Sequence, residues 1–382
     1  MTNNHGRTVL DYGARGDGLS DDGEAFQRAL AAGPGTVTVP GKNYLIGRVL
    51  RIGSGVRLRL DPKARLRLAA GVAKTPDDYL ITNANPATGD ADIVIEGGCW
   101  DGNNAGNTRP PGLFDYGCSG AMMHFRNVRG LRLTNLHLHD AEAYHVRLTE
   151  VRGFQVEKIR FSADRVRHNN DGIHLGGHCE DGVIRDIKGL HPGVTGDDMI
   201  ALNADDALTR TEVNGMTSGP IRNIRIEDIE AQGCHSFVRL LSVFSPIENV
   251  SIRGVRGTCE VAAINCDAAR GCRVQVFDEK TPPFPDGVGF LTNINAEDFL
   301  VGKSKANDVA LLRLETRMTN FRIANFRRDL AADLAPATPT LRLRHVAVRQ
   351  LLVNGAPGNV SSVVFGETCT MTDAAFKELR IN

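Results

Sequence analysis

Asn169-Asn170-Asp171-Gly172-Ile173-His174-Leu175 and Gly196-Asp197-Asp198-Met199-Ile200-Ala201-Leu202 are two versions of one phrase, in which polar residues with carboxylates run into a short apolar strand. Ile173 and Ile200 are 27 residues apart, a spacing that fits one turn of a solenoid. Two such strands lie side by side at about 4.8 Å, which brings Asp171 next to Asp198 and puts three carboxylates in one patch. An Asp-Asp pair alone reads more readily as a solvated turn, and the chain has two others, Asp21-Asp22 and Asp205-Asp206. Register therefore decides the reading.

Working outward, the phrase repeats. Val128-Arg129-Gly130-Leu131-Arg132-Leu133 matches Val151-Arg152-Gly153-Phe154-Gln155-Val156, then Gly182 to Ile187, Ile221 to Ile226 and Ile247 to Ile252. Each hexad is followed by a second strand centred on Val146, Ile173, Ile200, Val238 or Ile264, with steps of 27, 27, 38 and 26 residues. The long step asks for an insertion of about a dozen residues, and Asp205 to Gly219 is the polar candidate. Two places past each centre stand Leu148, Leu175, Leu202, Leu240 and Cys266, suited to a core. One place past stand Arg147, His174, Ala201, Arg239 and Asn265, suited to the outer face. Helices between the strands have no room to form, so the fold class is an all-β parallel β-helix.

The start and end of the chain fit one elongated domain over 1–382. Thr8 to Tyr12 alternates like a strand, and Asp21 with Glu24 resembles a capping box before an amphipathic helix, so 8–34 reads as an N-terminal capping helix region. Residues 36–270 carry the regular coils, beginning with Thr36 to Val39, Tyr44 to Ile46, Val56 to Leu60 and Ala64 to Leu68. The run from Trp100 through Phe114 and Tyr116 to Gly120 reads as a long flanking loop. Residues 271–382 form further coils and a C-terminal cap: Thr281 to Pro285 is a rigid loop, Ala310 to Leu314 and Leu341 to Arg344 are coils, and Ala374-Ala375-Phe376 begins a closing turn.

Composition excludes several classes. Lys plus Arg and Asp plus Glu are 45 each, which gives no field for nucleic acid or an anionic membrane. Eight cysteines lack any Cys-X-X-Cys pair and read as buried thiols, with neither a metal centre nor a disulfide framework. The opening residues have no apolar h-region and no stretch is long enough to span a bilayer. The expectation is a cytoplasmic chain, or a secreted one if a leader has been removed. The sequence does not fix the oligomeric state.

In the column before the strand centres, Asp171 and Asp198 share a slot with Ser236, and Asn170, Asp197 and His235 share the slot before it. Carboxylates this close resist joint ionisation, so one keeps its proton to higher pH. An acid beside ionised bases is what glycoside hydrolysis needs. His235 reads as well as a hydrogen-bonded turn residue, and Arg147 and Arg239 as solvated ones.

These residues resemble a known family, the polygalacturonase-like glycoside hydrolases of family 28 in the pectin lyase-like superfamily. The resemblance runs from Asp11-Tyr12-Gly13-Ala14-Arg15-Gly16-Asp17-Gly18 to about Ile264, and Asn169-Asn170-Asp171 and Gly196-Asp197-Asp198 match its Asn-X-Asp and Gly-Asp-Asp motifs. It implies a single-stranded right-handed parallel β-helix and a polysaccharide or oligosaccharide substrate, pectic in the family; from the residues themselves, no cofactor or metal is expected. It also implies Asp197 as general acid, Asp171 and Asp198 as bases activating water with inversion, and His235 as their partner through a partial match of Gly233-Cys234-His235-Ser236 to Gly-His-Gly. Asn169, His174, Arg239, Arg147 and Asn265 are the candidate substrate-binding residues. The family's Arg-Ile-Lys motif is missing, since that rung reads Ala262-Ala263-Ile264-Asn265.

Two other functions fit the same scaffold. A polysaccharide lyase or epimerase would need calcium or a basic residue beside a carboxylate, and a non-catalytic carbohydrate-binding β-helix would bind without turnover. His174 with His178 is too small a set for a metal centre.

Overall fold

The computed structural model describes residues 6–75, 79–109, 121–206, 212–213, 215–268 and 288–343. Beyond these it describes the backbone of the strands Ala347–Gly355, Ser362–Phe365, Thr370–Thr372, Ala375–Lys377 and Arg380–Ile381. Short strands from successive coils pair in parallel from Arg7–Thr8 to Arg380–Ile381, each coil hydrogen-bonded to the next. This is a parallel β-helix. Among the described residues one ladder is antiparallel, Glu212–Val213 against Met216–Thr217, inside the long step.

The strand that bears the carboxylates has the register expected from spacing. Val146 pairs with Ile173, Ile173 with Ile200, Ile200 with Val238, Val238 with Ile264, and Ile264 with Leu312. All six are fully buried and stack down the interior, where each contributes about 1.5–3 kcal/mol. The 38-residue step passes through this ladder without a slip. Asp198 pairs with Ser236 and Ala201 with Arg239.

The hexads align as expected with one exception. Leu133 pairs with Val156 and Val156 with Ile184, so the third hexad begins at Cys179, three residues before Gly182. Gly182 stands in an apolar slot opposite Phe154, and a Cβ on it would meet the Phe154 ring at 2.0 Å. The large ring fills the space of two side chains, and the slot looks polar in sequence. The third place of each hexad has positive φ, at Gly130, Gly153, Asp181, Asn223 and Asn249, and the pattern continues at Asn293 and Asn320. Short polar side chains tolerate this conformation and here also bond to one another. The Nδ2 groups of Asn223, Asn249, Asn293 and Asn320 each donate to the Oδ1 one coil back, the first to Asp181, at 2.8–3.0 Å.

The N-terminal segment departs from the sequence reading. Of Thr8 to Tyr12 only Thr8 lies in a strand, Arg7–Thr8, and Val9–Tyr12 forms a 3-10 turn. Thr8 and Asp11 supply a reciprocal capping box, Asp11 accepting the Thr8 N–H at 3.0 Å, and Gly13 at φ 95° ends the turn. The helix Gly23–Ala31 is present, with Ala25, Phe26, Ala29 and Leu30 buried and Phe26 edge-on to Tyr44 at 5.1 Å. Its N-cap is Asp22, whose carboxylate instead accepts from Arg15 and Gly16, while Asp21 takes the N–H groups of Gly23 and Gly47. Both carboxylates are engaged by these backbone N–H groups, and the expected Asp21–Glu24 box does not form.

Trp100 is also reassigned. It lies in the strand Cys99–Asp101 between Leu66 and Leu138, fully buried, with Nε1 donating to Gly97 O at 3.1 Å. Phe114, Tyr116 and Thr281 to Pro285 lie outside the described residues. Leu312–Leu314, Leu341–Leu343 and Ala375–Lys377 are strands of further coils. Cys99, Cys179, Cys234, Cys259 and Cys266 are free thiols, all but Cys99 fully buried.

Candidate active site

Gly172 sets the position of Asp171. Its N–H donates to Asp198 O at 2.9 Å, and a Cβ there would lie 2.4 Å from Met199 O, so only glycine allows the two segments to approach this closely. The ladder thus extends beyond Ile173 and carries Asp171 alongside Asp198. Both are buried, whereas the Asp197 side chain keeps about 20% exposure. Behind them, fully buried Glu142 holds Arg109 at 3.1 Å and Arg167 at 2.8 Å, tying down the segment that leads into Asn169.

His235 Nδ1 lies 3.2 Å from Asp197 Oδ1 and 3.7 Å from Asp198 Oδ1. Arg239 approaches from the next coil, Nη1 at 3.8 Å from Asp198 Oδ2, and is anchored by Asp267 at 3.0 Å. His174 Nδ1 contacts Asp171 Oδ2, and its ring is edge-on to Tyr144 at 4.8 Å. Between His174 and Arg239 the column holds Ala201, which is buried.

The electrostatics follow from crowding and burial. Asp197 is pushed up to about 8, first by burial and then by the charges of Asp171 and Asp198. Asp171 is held well above the carboxylate range by burial and by Asp198, against the pull of Arg239 and His235. Burial takes His174 down to about 4, so its contact with Asp171 holds one proton between two groups. For His235, burial opposes charge, but Asp198 and Asp197 outweigh it and raise the imidazole above its ordinary value. Arg239 is also raised: burial is outweighed by Asp267 and the three site aspartates.

The structure therefore brings Asp171, Asp197, Asp198, His174, His235 and Arg239 together. Arg147 and Asn265 lie in the same column, opposite His174 and Arg239 respectively. Asn169 is half-buried and directs its amide to the Tyr144 hydroxyl at 3.4 Å, and Asn170 is spent on the carbonyls of Ala141 and Ala143. His174 and His178 do not meet: His178 lines a separate surface depression with Glu150 and Thr217. Asp197, Asp198 and His235 offer three ligand atoms within 4.8 Å of one another, a set that also suits a cation, but the Arg239 guanidinium already supplies positive charge there.

Sequence reasoning missed several neighbours. Arg313 follows Asn265 in the column, 3.6 Å from Asp267 and 2.8 Å from Glu315. On the other side stand His124, Tyr79 and Tyr144 around Arg147. The signal for His124 was available: the hexads at Val128 and Val151 are 23 residues apart, and the same step back from Arg147 falls on His124.

A parallel β-helix with a carboxylate cluster on one face defines the class. Within it, residues 6–103 match the family model described as rhamnogalacturonase A/epimerase, pectate lyase-like. The chain is 26% identical over 266 residues to a probable polygalacturonase of Arabidopsis thaliana, covering 66% of this chain and 54% of that protein. It spans about half the length of the curated relatives it matches. Among solved structures, the surface adhesin PfbA of Streptococcus pneumoniae superposes with a TM-score of 0.65 at 14% identity, over 99% of this chain and 91% of that one. The family 28 exopolygalacturonase of Yersinia enterocolitica gives 0.55 at 16%, over 99% and 78%. The chain is thus polygalacturonase-like, with a pectate lyase-like β-helix fold.

Proposed function

We propose that the protein is an inverting glycoside hydrolase acting on a polysaccharide or oligosaccharide, with pectic chains as the first class to try. The observation that carries this reading is the meeting of Asp171, Asp197 and Asp198 on adjacent coils beside His235 and Arg239. Asp197 is the most exposed of the three and holds its proton at neutral pH, as a general acid that protonates the departing glycosidic oxygen must. Asp198 and Asp171 orient the attacking water, and the Asp198 carboxylate beside Arg239 takes the proton that water releases. His235 bridges acid and base, and Arg239, braced by Asp267, pairs with Asp198. Asn265 lies one coil beyond Arg239.

The test is a polysaccharide panel assayed for reducing-end release, with the product anomer read by NMR. We expect hydrolysis with inverted configuration, and a loss of about 10²–10⁴-fold in kcat for Asp197→Asn with binding retained. Retained configuration, or an unsaturated product sensitive to chelators, would replace this mechanism. Binding without turnover in the unmodified protein would point to a carbohydrate-binding role.

A further inference from the structure

The column that passes the acids continues upstream through His174 to Arg147 and His124, which are in register with each other. Arg147 is fully buried, and no carboxylate among the described residues pairs with it. Among the described residues its hydrogen bonds run from Nη2 to Tyr79 Oη at 3.1 Å and to His124 Nδ1 at 3.2 Å. The Tyr79 and Tyr144 rings flank the guanidinium at 5.5 and 5.7 Å, which offsets part of its charge but accepts none of its remaining protons.

The donors are unbalanced. Arginine only donates, so His124 Nδ1 accepts and the His124 proton sits on Nε2. That Nε2, and Arg147 Nε and Nη1, are buried and have no acceptor among the described residues. Neighbouring Arg126, by contrast, has Glu150 at 3.3 Å. A buried cation with no carboxylate partner among the described residues, beside three donor groups without acceptors, calls for an anionic acceptor, and a planar fork favours a carboxylate.

Arg147 lies two coils upstream of Ala201, about 10 Å along the solenoid, which is beyond a sugar ring bound over the acids. We propose that Arg147 and His124, between Tyr79 and Tyr144, form a carboxylate subsite that takes a uronate residue on the upstream side of the acids. The inference rests on the hydrolase reading only for the choice of saccharide. It moves acid recognition away from the downstream rung, where Ala262-Ala263-Ile264-Asn265 offers no cation.

The test is calorimetric binding in the Asp197→Asn background, with an oligogalacturonate, its methyl ester and a sulfated galactan oligomer as probes. We expect the free acid to bind at least about tenfold more tightly than the ester and the sulfate. Arg147→Gln should abolish that preference, and Arg147→Lys, which keeps charge without the fork, should restore only part of it. Equal binding of acid and ester, no binding of either, or a preference that survives Arg147→Gln would overturn the subsite, and equal binding of the sulfate would overturn its assignment to carboxylates. The acid-to-ester comparison needs no change at Arg147, so it decides the matter even where Arg147→Gln does not fold. Acid-selective binding without cleavage by the unmodified protein would leave the subsite standing and remove the hydrolase, whereas cleavage with no acid preference would remove the subsite alone.

Discussion

Two columns of polar side chains run along the solenoid and obey opposite rules. In one, Asp181, Asn223, Asn249, Asn293 and Asn320 repeat nearly the same residue and each amide satisfies the next. In the other, Arg147, His174, Ala201, Arg239, Asn265 and Arg313 change at every coil, and Arg147, His174 and Asn265 keep buried polar atoms with no partner among the described residues. Asp198 beside them does the same with Oδ1. A stack of like residues closes its hydrogen bonds within the protein and supports the fold. A stack that varies leaves valences for something else, at a cost in stability that only a ligand offsets.

The sharpest way to break this contrast is at the acid. Asp197 is raised in the folded state, so folding favours its protonated form. Stability linked to this group is greatest at low pH and falls as pH climbs from about 4, the unfolded value, to about 8. Asp197→Asn should therefore be more stable than the unmodified protein by about 1–3 kcal/mol at pH 9 and indistinguishable near pH 3, as read by urea unfolding at each pH. The same titration should remove the acid form, so kcat should fall about tenfold per pH unit above 8. A flat alkaline limb would assign the acid to another group.

A middle effect is expected at Asp267, which braces Arg239 at 3.0 Å and faces Arg313 at 3.6 Å. Asp267→Asn keeps the shape but leaves two half-buried guanidinium groups short of charge, for a loss of about 1–3 kcal/mol in unfolding free energy. Turnover should fall with it, because Arg239 steadies Asp198. Unchanged stability would mean that the downstream cations have another counter-charge. The smallest effect belongs to the regular column. Asn249→Ala loses two amide contacts and places alanine at φ 57°, which should cost about 1–2 kcal/mol, and Asn249→Gly about half of that, with kcat and KM unchanged in both. A change in turnover from Asn249 would show that the two columns are not independent.

These columns also explain what was legible in the sequence. The coil register from Val146 to Ile264 could be read because apolar residues alternate with a period of two and three of the four steps are nearly constant. The acid cluster followed from that alignment. Arg313 stayed hidden because it lies 48 residues beyond Asn265, too long a step to show as a repeat. Gly182 misled because Phe154 from the previous coil does the packing, and Trp100 because its strand is three residues long and set among polar neighbours. Tyr79 and Tyr144 reach Arg147 from outside its column, and no motif marks that meeting.

The 38-residue step between Ile200 and Val238 crosses from the coil of Asp197 and Asp198 to that of His235 without disturbing the pairing on either side. Chain length there is decoupled from the spacing of the reacting groups. Replacing the excursion with a shorter or longer one would remodel the surface around Thr217 and His178 while the reacting groups keep their spacing.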